Sequence, residues 1–169
     1  MASKVRLLFS NSKLPLSPLI RAVTAFQTGR PAQWSHVALV ITNETNLTNS
    51  SLIIESTLSH GGVNLATAGD FKKRAKNWIL IELEQEVEDF ELMVAIAKSK
   101  LGKPYDYTGI LGLGINRDWQ ENDMWFCSED VADTLKRSGL QLTGLLNVHS
   151  VFPQTCFDWK HKVLDRSVF

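Results

Sequence analysis

Three side chains with complementary chemistry stand in apolar surroundings in this sequence. Cys127 lies in Trp125-Phe126-Cys127-Ser128-Glu129-Asp130-Val131-Ala132-Asp133-Thr134-Leu135, His36 heads a run from Trp34 to Ile41, and Glu55 closes Leu52-Ile53-Ile54-Glu55-Ser56. A thiol, an imidazole and a carboxylate suffice for acyl transfer. The thiolate attacks an acyl carbon, the imidazole takes and returns the proton, and the third group fixes the tautomer of the ring. Val131 and Leu135 fall at helical spacing, which predicts a helix with Cys127 at its N-terminus. Unpaired N–H groups and the positive end of the helix dipole there favour a thiolate and face a developing oxyanion. Ser128, Glu129 and Asp130 supply acceptors for the helix start, while the charges of Glu129 and Asp130 oppose a thiolate. Taken singly, each residue also has a plainer reading. Cys127 reads as a small buried cysteine, His36 as a satisfied strand histidine, and Glu55 as a solvent-facing carboxylate.

The elements that must position these groups are read from hydrophobic period and turn chemistry. Residues 5–9 form a first strand, and Ser17-Pro18 opens a helix whose apolar positions Leu19, Ile20, Val23, Ala25 and Phe26 end near Gly29. The run 34–41 is a buried strand, 42–51 a polar loop, and 52–56 a second strand, so the pair is a hairpin. The neighbours of Glu55 leave open which face of the hairpin it takes. Residues 61–65 add a short strand, 68–75 a short basic helix, 77–83 a further strand, and 87–101 a helix ended by Gly102. A Pro104-led turn and a glycine-containing loop, residues 108–123, precede the Cys127 helix, which closes near Gly139. Residues 140–169 show no assignable period, although Val151 or 157–163 would cover the core. No internal repeat or domain boundary interrupts the chain, so residues 1–169 are expected to form one domain. Adjacent antiparallel strands would set His36 beside Glu55, with the Cys127 helix laid against them.

The matching segments are Ser35-His36-Val37-Ala38-Leu39-Val40, Ile54-Glu55-Ser56, Gly102-Lys103-Pro104-Tyr105-Asp106 and Phe126-Cys127-Ser128-Glu129. In this order they resemble the NlpC-type papain-like hydrolases, and within them the circularly permuted YaeF/YiiX branch, in which His precedes Cys. The resemblance implies an α+β papain-like fold with a small antiparallel sheet packed against the nucleophile helix. It implies Cys127 as nucleophile, His36 as general base and Glu55 as the residue that orients His36. Tyr105 matches a tyrosine near the nucleophile and becomes a candidate oxyanion or substrate contact; its plainer reading is a packed aromatic in a turn. The activity implied is that of a cysteine peptidase or amidase acting on peptide or peptidoglycan-like amide bonds. A thioesterase or acyltransferase acting on an acyl substrate with the same triad, and a non-catalytic binding module on this fold, are the alternatives.

Composition narrows the rest. The chain has 169 residues, 44% hydrophobic and 21% charged, with 18 basic and 18 acidic side chains. A net charge of zero gives no reason to expect a nucleic-acid partner. No segment reads as a secretory signal or a membrane span, which places the chain in the cytoplasm as synthesised. A wall-directed hydrolase would then need lysis, carriage in a phage particle or another export route. The triplets starting at Asn43, Asn46 and Asn49 read as polar loop rather than glycan sites. Cys127 and Cys156 make neither a disulfide framework nor a metal knuckle, and two reduced thiols suit a cytosolic setting better than one disulfide. No cofactor and no metal are expected, because Cys127, Cys156, His36, His60, His149 and His161 include no pair at zinc spacing. Residues Gly109 to Gly114 mimic a phosphate loop only superficially, without its Lys-Ser/Thr. The sequence sets no oligomeric state.

Overall fold

The computed structural model describes residues 3–13, 16–44, 46–106, 124–142 and 151–167. Its frame is a six-stranded sheet in the order β4-β3-β2-β1-β5-β6. The strands are β1 (Ser3–Ser12), β2 (His36–Val40), β3 (Leu52–Thr57), β4 (Gly62–Thr67), β5 (Ala75–Val87) and β6 (His161–Arg166), and every pairing is antiparallel. The helices are α1 (Ser17–Thr28), α2 (Ala68–Arg74), α3 (Phe90–Lys98), α4 (Cys127–Arg137) and α5 (Pro153–Phe157).

Both faces of the sheet are covered, which explains why β1 and β2 read as continuous apolar runs rather than alternating ones. Leu8, Ala38, Val40, Ile53 and Leu80 pack under Ala68 and Phe71 of α2. Phe9, Val37, Leu39, Ile54 and Ile81 share the opposite, larger core with Met93, Val94 and Ala97 of α3 and Val131 and Leu135 of α4. Leu7, Leu8 and Phe9 are all fully buried, as expected of a central strand.

The expected hairpin, the helix ended by Gly29 and the α+β class are all present. The sheet is larger than expected. Residue 87 belongs to β5 rather than to the following helix, because Val87 pairs with Ser3 at the far end of β1. The helix starts at Phe90, where the Asp89 carboxylate accepts from the Leu92 N–H at 2.9 Å. The C-terminal region supplies α5 and β6. Strand β6 lies at the sheet edge against β5 with no buried residue, so it carries no hydrophobic alternation to read.

A stitched segment links β4 to the start of α4. Val63 N–H donates to Lys103 O at 2.9 Å, Gly102 N–H to Val63 O at 2.9 Å, and Tyr105 N–H to Gly61 O at 3.0 Å. Trp125 N–H then donates to Pro104 O at 2.9 Å. Gly62 is required at this crossing, since a Cβ there would lie 1.9 Å from Lys103 O. The expected glycine-containing loop, residues 108–123, and the Gly109 to Gly114 run lie outside the described residues.

Candidate active site

Leu39 faces Ile54 and Val40 faces Ile53 across the hairpin. Side chains alternate along a strand, so His36 and Glu55 fall on one face, the face under α2. That settles the orientation of Glu55, whose side chain is fully buried. His36 Nε2 and Glu55 Oε2 are 2.6 Å apart. The second carboxylate oxygen, Oε1, accepts from Arg74 Nη2 of α2. Arg74 Nε also donates to Asp70 O at 3.2 Å, which holds the guanidinium on its own helix. One turn earlier, Phe71 stacks on the His36 ring, with centroids 5.3 Å apart and planes 21° from parallel. Helix α2 therefore grips both members of the His–Glu pair.

Cys127 comes from the other layer. It is the first residue of α4 and belongs to the larger core, at 1% exposure. His36 is the first residue of β2, so its ring stands at the strand end, where groups from both layers can meet it. The Cys127 side chain is near enough to act on the ring there. Glu55 occupies Nε2 and leaves Nδ1 outside that bond. Imidazole, carboxylate and guanidinium are thus joined by hydrogen bonds across the sheet end, with the thiol near the ring.

Burial alone would lower the pKa of His36. The negative charge and hydrogen bond of Cys127, followed by those of Glu55, override it and push the imidazole up to about 9. Burial would raise Glu55, yet the hydrogen bond and charge of His36, aided by Arg74, hold it below the ordinary carboxylate range. The arrangement favours an imidazolium beside an anionic Glu55 at neutral pH.

The acidic residues following Cys127 behave differently from the sequence reading. Only Glu129 caps, accepting the Phe126 N–H at 3.1 Å, while the Ser128 hydroxyl donates to Val151 O. Burial raises the Glu129 carboxyl to about 8; the Phe126 bond opposes this and Asp106 adds to it. Glu129 is therefore mainly uncharged at neutral pH and does not oppose a thiolate. Burial also raises Asp130, against the pull of Lys100, whose ammonium lies 3.1 Å from Asp130 Oδ1 and 2.8 Å from Asp133 Oδ2. The same ammonium sits 4.3 Å over the Trp125 ring and ties the chain before Cys127 to the end of α3. Cys156 is buried, which raises its thiol well above the ordinary range, with the nearby Cys127 charge acting in the same direction. Both cysteines are free.

A narrow cleft opens beside His36. Leu16, Ile20, Leu58 and Phe71 give it apolar walls, and Ser35, Arg74 and Tyr105 also line it. Tyr105 is buried and packs edge-on against Phe126, with centroids 6.0 Å apart, so it sits between the cleft and the residue preceding Cys127. Cys127 does not itself line the cleft and reaches it through His36.

No curated protein sequence matches the chain. Among solved structures it is similar to YiiX from Escherichia coli O157:H7, described as a metalloprotein and as DUF1105. That likeness has a TM-score of 0.70 over 98% of this chain and 97% of the other at 19% identity, and it concerns the fold. The sequence profile of the permuted papain-like amidase enzymes, the YaeF/YiiX or C92 family, matches residues 6–157. The chain belongs to that family. Membership makes it a hydrolase of the cysteine peptidase and amidase class, and the fold is the permuted papain-like one. Among the described residues of this C92 member, no group of three His, Cys, Asp or Glu side chains is arranged to hold a metal ion. His149 lies outside them. No helix among the described residues is long and apolar enough to cross a membrane.

Sequence reasoning missed Arg74 and Phe71. Arg74 ends the run Lys72-Lys73-Arg74, which has the composition of a solvated face. A usable signal was the three-residue interval between Phe71 and Arg74, which puts an aromatic and a cation on one side of a short helix.

Proposed function

We propose that Cys127 is the nucleophile, His36 the general base and acid, and Glu55 the orienting carboxylate in hydrolysis of a peptide-type amide. One observation supports this reading: the His36 ring is bonded to Glu55 through Nε2, and its charge state is coupled to the nearby Cys127. Cys127 Sγ adds to the amide carbon, and negative charge moves to the carbonyl oxygen. The first N–H groups of α4, which have no partner within the helix, are the donors available to stabilise the oxyanion. The C–N bond breaks as His36 gives its proton to the departing amine, leaving a thioester on Cys127. His36 then takes a proton from water, the hydroxide adds to the thioester carbon, and the acid leaves as the thiol is regenerated. Glu55 keeps the proton on Nε2 and neutralises the imidazolium, while Arg74 keeps Glu55 charged and fixed. Tyr105, at the boundary between cleft and nucleophile, is positioned to contact the substrate acyl group.

Peptide and peptidoglycan-like amides fit this chemistry. The apolar walls of the cleft, Leu16, Ile20, Leu58 and Phe71, favour a second reading in which the same triad acts on an acyl ester or thioester. Intact-mass spectrometry separates the two: a peptide amide should acylate Cys127, whereas adduct formation by an acyl thioester alone supports the second. Replacing Cys127 by Ala should abolish turnover and leave the melting curve in place. Full activity of that variant would overturn the assignment. Alkylation of Cys127 in a Cys156→Ser background should slow in His36→Ala; an unchanged rate would favour a fold used for binding alone.

A further inference from the structure

Helix α1 is oriented against the usual pattern. Its inward positions are Ser17, Ile20 and Thr24, and two of these are hydroxyl residues. The Ser17 hydroxyl lies 2.6 Å from Ser35 Oγ, and Thr24 Oγ1 donates to Ile20 O at 2.7 Å, so the polar side is satisfied inside the protein. The outward positions Leu19, Ala22 and Phe26, with half-buried Val23 at their edge, fall within one stripe at 100° per residue. Phe26 is 80% exposed and Leu19 40%. A surface helix that turns its apolar stripe to solvent and its hydroxyls to the core has a face without a partner.

Charge says what covers it. Exposed Lys13 precedes the helix and exposed Arg30 follows it, and neither has an ion pair among the described residues. The chain is neutral overall, yet its first acidic residue is Glu44; every charge before it is positive, at Lys4, Arg6, Lys13, Arg21 and Arg30. Lys4 and Arg6 are paired with Glu86 and Glu82. A second copy would bring Lys13 and Arg30 against the like charges of its own α1, whether the helices paired parallel or antiparallel. The stripe is also small: a helix of 12 residues presents a face of on the order of 200 Å². A stable protein partner needs roughly 800 Å². An apolar strip flanked by cations suits shallow insertion at an anionic interface, which adds electrostatic attraction to a modest buried area.

We propose that the outward face of α1 seats on an anionic lipid surface, with Phe26 and Leu19 below the headgroups and Lys13 and Arg30 among them. The inner edge of α1, at Leu16, Ser17 and Ile20, walls the His36 cleft, so docking sets the cleft beside the bilayer. The proposal is independent of the hydrolase reading, because it concerns binding to lipid that holds no cleavable amide.

The test is co-sedimentation of the full chain with phosphatidylcholine vesicles, with and without phosphatidylglycerol. Partitioning should require phosphatidylglycerol, weaken as salt is added, and fall roughly tenfold or more in Phe26→Asp. Lys13→Glu with Arg30→Glu should give a similar fall while leaving the apolar stripe intact. Both changes are at exposed positions, and an unchanged thermal melt confirms that the fold is retained. Equal sedimentation of parent and Phe26→Asp, or none by the parent, would overturn the proposal. So would a dimer in light scattering that Phe26→Asp dissolves, since the occupant would then be a second copy.

Discussion

Replacing Glu129 by Gln should stabilise the protein increasingly as pH rises. In the unfolded chain this carboxyl ionises near 4.5, whereas burial in the folded state raises it to about 8. The native state thus keeps a proton that the unfolded state releases. Stability from this group is full below pH 4.5, declines as pH rises from there, and is lost once pH passes about 8. At about 1.4 kcal/mol per pH unit, the interval corresponds to roughly 5 kcal/mol. The side chain is 1% exposed, so solvent does little to screen it. The Gln carbonyl can still accept the Phe126 N–H, and the amide has nothing to titrate. Urea unfolding followed by tryptophan fluorescence between pH 4.5 and 9.5 should therefore show parent and Glu129→Gln diverging steadily. The gap should level off above about pH 8. With an m-value of about 1–3 kcal/mol per molar urea, it amounts to a midpoint shift of at least about 1.5 M. A gap that stays constant with pH, or narrows as pH rises, would refute the neutral buried carboxyl.

The other tests concern the site and its supports. Turnover should decline as pH passes about 9, where His36 loses its proton. Glu55→Gln should move that limb to lower pH and reduce kcat by about a hundredfold or more, measured on any cleavable amide. Arg74→Gln should lower kcat about tenfold or more and raise the pH at which the acid limb begins, because Glu55 loses a cation that keeps it ionised; Arg74→Lys should restore part of both. Gly62→Ala should cost about 1–3 kcal/mol in urea unfolding and accelerate proteolysis near Lys103, since the new Cβ meets the Lys103 carbonyl. Mass mapping after iodoacetamide should find Cys127 modified well before Cys156, whose thiol burial keeps protonated.

The readable parts of this chain were those whose causes are local. Gly29, the apolar run 34–41 and the spacing of Val131 and Leu135 placed α1, β2 and α4 because each depends on neighbours within a few turns. The face taken by Glu55 was not local, since it follows from the register of Val40 against Ile53. Strand β6 had no signal because its side chains lie at the sheet edge and its hydrogen bonds to β5 come from the backbone. Arg74 was hidden for the converse reason. A cation in a basic run reads as solvated until a carboxylate distant in the chain is folded against it. Glu129 and Asp130 misled for the same cause: their charge depends on burial and on Lys100, neither of which is visible at their own positions. The hairpin order already suggested His36 beside Glu55 with the Cys127 helix against them, and family resemblance supplied the roles that single-residue readings left open.

The convergence of two layers on the His36 ring also fixes an order in time. As the chain is made from its N-terminus, His36, Glu55, Phe71 and Arg74 emerge together on the β2–β3 hairpin and α2, well ahead of Cys127. The imidazole, carboxylate and guanidinium are therefore all synthesised before the thiol. Cys127 can meet the imidazole only once the chain has been made through α4, which packs on β2, β3 and α3. A chain cut short before α4 would therefore carry the His36–Glu55 pair and its Arg74 partner without the thiol.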